Sequence, residues 1–173
     1  EITHTLNALE RMGHGNEVLV KALAQAALTN ASDLKAREVT TVLHALAGLG
    51  HHSDVLKTKV LEGLVKHARK YARGLDARQV SIVLNALVRM NFRYVSNLNR
   101  LSKAIRRQAH NFDARGVAIT LNALARFHLD DGRVLRPLCD TALAQVRDFT
   151  PKQAALTVNA LSHLKHEDKR LVS

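Results

Sequence analysis

Arginine and lysine carry most of the chemistry this sequence offers, and one set of them is regularly spaced. Arg37, Arg78, Arg115 and Lys152 recur at intervals of 41, 37 and 37 residues. Each is a fixed positive charge able to neutralise a phosphate oxygen and release its counterions. A second set is dense rather than periodic: Lys59, Lys66, Arg69, Lys70 and Arg73, followed by Arg100, Lys103, Arg106 and Arg107. Residues 57–107 hold thirteen Lys or Arg against only Glu62 and Asp76, while the remaining basic and acidic residues cancel, so the net charge of +11 sits in this segment. A localised excess of this kind is the electrostatic footprint of a polyanion partner. The competing reading is a solvated face whose cations follow the helix dipole.

The periodic cations fall in the first turn of a predicted helix, where a positive charge opposes the dipole. Their recurrence therefore calls for compensation by a cap carboxylate, by a partner in the adjoining repeat, or by a phosphate held jointly with the free amides. A further partial column comprises Arg11, Arg89 and Arg126, with His163 in register and Gly48 interrupting it.

Other chemistries lack parts. The ten histidines are scattered, and no Cys-x-x-Cys, His-Glu-x-x-His or paired-carboxylate pattern is present. His51-His52 and the pair His163 and His166 have no further ligands close by in sequence. Gly13-His14-Gly15 reads as a joint between helices, not a phosphate loop. No catalytic residue, metal site or cofactor is expected, and the chain does not read as an enzyme. Cys139 is alone, so it cannot form an internal disulfide and is expected to be a core thiol. No segment approaches the roughly 20 apolar residues that span a bilayer, and no membrane partner is expected.

The elements that must position these cations are announced by a recurrent phrase. Leu6-Asn7-Ala8-Leu9, Leu43-His44-Ala45-Leu46, Leu84-Asn85-Ala86-Leu87, Leu121-Asn122-Ala123-Leu124 and Val158-Asn159-Ala160-Leu161 lie 37, 41, 37 and 37 residues apart. A fixed period of this size predicts stacked helical hairpins. The expected fold is all-α, an α-α superhelical solenoid of about four and a half helix-turn-helix repeats of 37 residues. The repeats fall at residues 1–33, 34–74, 75–111, 112–148 and 149–173. Because Glu1 falls inside a repeat, the sequence is expected to be a fragment of a longer chain.

Within a repeat, the first helix starts at Asp76, Asp113 or Thr150, whose oxygens can accept from first-turn amides. Gln79 and Gln153 are placed to complete capping boxes, and Pro151 occupies the first helical position. Lys35-Ala36-Arg37-Glu38 is the same start without the cap. A second amphipathic run follows each joint, at 18–28, 55–68, 95–105 and 134–146. The four extra residues of the 41-residue step equal about one helical turn, placed near His67 to Arg73.

The Ala and Leu columns of the phrase read as packing positions, a small residue admitting a neighbouring helix and a Leu filling the groove. The Asn column is less obvious, because Asn is a mediocre helix former. It reads as a ladder of amides linking repeats or satisfying loop carbonyls, with a row facing a ligand as the alternative.

The stretch Leu75-Asp76-Ala77-Arg78-Gln79-Val80-Ser81-Ile82-Val83-Leu84-Asn85-Ala86-Leu87-Val88-Arg89-Met90 resembles the first helix of octotricopeptide and heptatricopeptide repeats. The resemblance extends over the whole chain, although the Trp common in octotricopeptide repeats is absent. Related repeats occur in FAST-kinase-like and RAP-domain proteins. The resemblance implies an organellar RNA-binding protein, located in the mitochondrial matrix or in a plastid.

With no Trp, two Tyr and four Phe, few rings remain to stack bases. Basic helices with little stacking suit phosphate and shape recognition of a folded RNA. The expectation is an architectural component of a mitochondrial ribosome that binds ribosomal RNA and neighbours ribosomal or RNA-processing proteins. The alternatives are an organellar transcript-stability or translation factor on single-stranded RNA, and a protein-interaction scaffold.

Overall fold

Three of the five first helices begin where the sequence supplies a capping side chain. In the computed structural model, which describes residues 1–50, 63, 66, 74–92 and 98–164, helix α4 (Ala77–Arg89) opens with a complete capping box. Asp76 accepts from the Gln79 N–H at 2.7 Å, and Gln79 accepts from the Asp76 N–H at 3.1 Å. Helix α8 (Pro151–His163) repeats the device with Thr150 and Gln153, and Pro151 takes the first position. Helix α6 (Ala114–Arg126) has half of it, the Gly116 N–H donating to Asp113 at 2.6 Å. Helix α3 (Ala36–Leu49) has the other half: Glu38 reaches back to accept from the Lys35 N–H at 2.8 Å. Helix α1 (Ile2–Met12) completes the set of first helices.

The ends of these helices also share a chemistry. Gly13, Gly50, Asn91 and His128 stand in register and all adopt positive φ, at 63°, 68°, 51° and 53°. At Asn91 and His128 the backbone closes in the paired pattern of a left-handed helix stop: Phe92 N–H bonds Leu87 C=O at 2.9 Å, and Leu129 N–H bonds Leu124 C=O at 3.0 Å. Two glycines meet this requirement without strain, and Asn and His carry it at some cost.

The second helices are α2 (Glu17–Thr29), α5 (Leu98–Gln108) and α7 (Gly132–Ala144). Between α3 and α4 only Gly63 and Lys66 are described, both helical, so the predicted run at 55–68 and the added turn at 67–73 lie outside the described residues. Among the described residues every regular element is helical.

The first helices lie side by side in chain order: α1 packs on α3, α3 on α4, α4 on α6 and α6 on α8. In a second layer α5 packs on α7, and each second helix also packs on the first helix of its own repeat. Between the layers runs one apolar core that includes Leu6, Leu43, Leu84, Leu121 and Cys139. Ala45, Ala86, Ala123 and Ala160 are fully buried, as close approach of neighbouring first helices requires, whereas Ala8 in the end helix α1 is exposed. At the other end, Ala155 of α8 is exposed where its counterparts Ser81 and Ala118 are buried.

Polar bonds between the ends of two hairpins come from residues the sequence did not single out. Gln108 donates through Nε2 to the Leu75 carbonyl at 3.2 Å, and Gln145, exactly one period later, donates to the Phe112 carbonyl at 2.8 Å. Each joins the last turn of a second helix to the residue preceding the cap of its own first helix. Thr141 crosses between repeats, its hydroxyl donating to the Ala109 carbonyl at 3.0 Å.

Candidate nucleic-acid interface

A first helix flanked by a neighbour on each side and by the second layer beneath has only one narrow face left for solvent. In α4 that face carries Arg78, Ile82, Asn85 and Arg89, positions i, i+4, i+7 and i+11, which fall within about 60° of arc. Arg78 and Arg89 are exposed, and Ile82 and Asn85 are half-buried between them. The same order recurs as Arg115, Ile119, Asn122 and Arg126 in α6 and as Lys152, Leu156, Asn159 and His163 in α8. In α3 it reads Arg37, Thr41, His44 and Gly48, and α1 contributes His4, Asn7 and Arg11.

Side-by-side packing turns these stripes into rows. With axes about 8–10 Å apart, a basic row runs across the first turns, then an aliphatic row, then an amide row, then a second basic row. The two basic rows are separated along the helix by about 16 Å, and the amide row lies about 6 Å from the second of them. Arg11, Arg37, Arg78, Arg89, Arg115, Arg126 and Lys152 are all exposed, and none makes an ion pair with a described residue. The nearby carboxylates of Asp76, Asp113 and Glu38 are committed to backbone amides at the helix starts. The second basic row is broken at Gly48, where the Glu10 side chain of α1 leans against the backbone and leaves no room for a Cβ.

The amide row corrects the expected ladder. Asn7, Asn85 and Asn122 are half-buried, Asn159 is exposed, and none of the four makes a side-chain hydrogen bond to a described residue. His44 continues the row with a buried Nδ1 that has no partner among the described residues. Gln108 and Gln145 satisfy loop carbonyls within their own repeats, and Thr141 makes a bond between repeats.

The sequence-predicted cations divide between two layers. Arg37, Arg78, Arg115 and Lys152 belong to the first-helix face. Arg100, Lys103, Arg106 and Arg107 are exposed on α5 in the second layer, and Lys66 is also exposed. Lys59, Arg69, Lys70 and Arg73 lie outside the described residues. The second layer adds two cations that the sequence reading missed, Arg133 and Arg136 at the start of α7. Carboxylates interleave with this set. Arg133 binds Asp131 through two hydrogen bonds, each of 3.0 Å. Those bonds, together with one from the Arg133 backbone N–H, hold the Asp131 carboxyl below the ordinary carboxylate range. No described helix is long and apolar enough to cross a membrane.

Fixed cations without an ion-pair partner among the described residues stand at both borders of a strip and suit a polyanion laid across the helices, and amides between them suit donor–acceptor edges. A family model described as RESC6, RNA-editing substrate-binding complex 6 protein, matches residues 54–173, more than half of the chain. That family, rather than the octotricopeptide or heptatricopeptide repeats, is the one the comparison identifies. No curated protein matches the chain.

Proposed function

The chain belongs to the RNA-editing substrate-binding complex 6 protein family, and on that premise we propose that it binds RNA as a non-catalytic member of an RNA-editing assembly. The observation that carries this reading is the first-helix face: Arg78, Arg89, Arg115 and Arg126 are exposed, in register on adjacent helices, and without an ion-pair partner among the described residues. Four or more cations held without carboxylate partners repel one another until a polyanion neutralises them. The family's description supports an editing substrate over ribosomal RNA as that polyanion. The side-by-side row of first helices supports the solenoid reading, in which each repeat adds an equivalent increment of the same surface. The proposed location is the mitochondrial matrix, with a plastid as the alternative, and the proposed neighbours are other proteins of the assembly.

Recovery of the native full-length protein with its partners, with and without nuclease, tests the assignment. Editing-substrate transcripts with assembly proteins are the expected yield. Ribosomal particles would restore the ribosomal reading, and a partner set unchanged by nuclease with no RNA recovered would replace RNA binding by a protein scaffold.

A further inference from the structure

We propose that the amide row reads the bases of a single RNA strand lying across the first helices, one nucleotide to a repeat, with the basic rows holding its phosphates. The inference rests on the RNA-binding reading and adds what that reading leaves open, namely the form of the RNA and how it is recognised.

The geometry favours a single strand. Asn85 and Asn122 sit between cationic borders, so a backbone following the Arg89 and Arg126 row, about 6 Å away, places its bases over the amides and the adjoining Ile82 and Ile119. The aliphatic side chains offer an apolar surface to the base faces. The amides offer one donor and one acceptor to the base edges, the pattern by which Asn pairs bidentately with a base. A paired duplex presents those edges to its own partner strand and exposes a groove that side chains of this reach do not read. Successive stripes about 8–10 Å apart match the one-base-per-repeat logic of helical-repeat RNA readers.

Chemical economy points the same way. An amide in a helix with no hydrogen bond to a described residue is a poor choice for stability, since Ala is the better helix former. Asn recurs at four of the five positions of the row, half-buried at Asn7, Asn85 and Asn122 and exposed at Asn159, with His44 at the other. Because the amide is the same in most repeats, the same base is preferred at successive positions. The ligand is therefore a tract of one base rather than a mixed sequence.

The test uses the full chain and short oligo(A), oligo(U), oligo(C) and mixed-sequence RNAs of equal length, with the double variant Asn85→Ala/Asn122→Ala. The wild type should favour one homopolymer over the mixed RNA by tenfold or more. The variant should lose roughly tenfold per amide on that homopolymer and keep its salt dependence. Annealing the complementary strand should abolish the preference. Equal wild-type affinity for all four RNAs, or a preference surviving in the variant, overturns base reading while leaving RNA binding intact. Absence of salt-dependent binding to any RNA sinks the RNA reading itself. Thermal melting gives an independent arm: the variant should melt at or above the wild-type temperature, and a clear fall would return the amides to a structural role.

Discussion

Replacing Arg89 and Arg126 together by Ala removes two neighbouring members of the second basic row without touching the core. Both side chains are exposed and make no ion pair with a described residue, so the change in folding stability should stay within about 0.5 kcal/mol. The effect on RNA should be large and of a particular form. Each phosphate neutralised on a single strand contributes about −0.7 to the slope of log affinity against log salt. If the three exposed cations of the second row, Arg11, Arg89 and Arg126, engage phosphates, the slope is about −2. Affinity then falls about twentyfold between about 50 and 200 mM salt. The single contact left in the double variant gives a slope of about −0.7 and a fall of roughly threefold over the same range. Fluorescence anisotropy of a labelled RNA across a salt series reads this directly. Arg133→Ala/Arg136→Ala on the opposite layer is the control and should leave the slope unchanged. An unaltered slope in Arg89→Ala/Arg126→Ala, or an equal drop in the control, would refute the assignment of the RNA to the first-helix face.

Three further outcomes concern the scaffold. Gln145→Ala should cost about 1–3 kcal/mol, because the Phe112 carbonyl loses the 2.8 Å bond that ties its hairpin closed, and a chemical denaturation midpoint measures it. His128→Gly should raise the melting temperature, since His128 holds φ of 53° at a position where Gly13 and Gly50 stand in equivalent repeats, with a gain of up to about 1 kcal/mol. Asp131→Asn should lower stability slightly at neutral pH by weakening the bonds to Arg133. The Asp131 carboxyl is held below its ordinary value in the folded chain, so its contribution is present above the ordinary carboxylate range and is lost as pH falls through the lowered folded value. Wild-type and variant melting curves should therefore converge in acid.

Where the sequence was legible, it was legible through repetition. The 37-residue step exposed the first helices, and Asp76, Asp113, Thr150 and Pro151 marked their starts because capping is a local interaction between residues three apart. The buried Ala column was readable for the same reason: a small residue kept at one register reports a close neighbour on every turn of the row. What escaped was long-range or was shared between columns. Gln108 and Gln145 bond to carbonyls 33 residues earlier, a separation at which nothing local distinguishes them from any other surface Gln. Asn85 was visible as a repeated residue, yet that its side chain has no hydrogen-bond partner among the described residues is a three-dimensional fact. The two sets of cations were counted together along the chain, and only the layering separates Arg78 and Arg115 from Arg100 and Lys103. The stripe linking Arg78, Ile82, Asn85 and Arg89 was within reach of helical periodicity, since i, i+4, i+7 and i+11 share a face.

The most direct test of RNA lying across the first helices is photocrosslinking of the intact protein to an RNA carrying 4-thiouridine, with the attached peptides identified by mass spectrometry. Crosslinks should fall within Ala77–Arg89 and Ala114–Arg126, on the faces that carry Asn85 and Asn122. Crosslinks confined to Leu98–Gln108 and Gly132–Ala144 would place the RNA on the second layer and contradict the account.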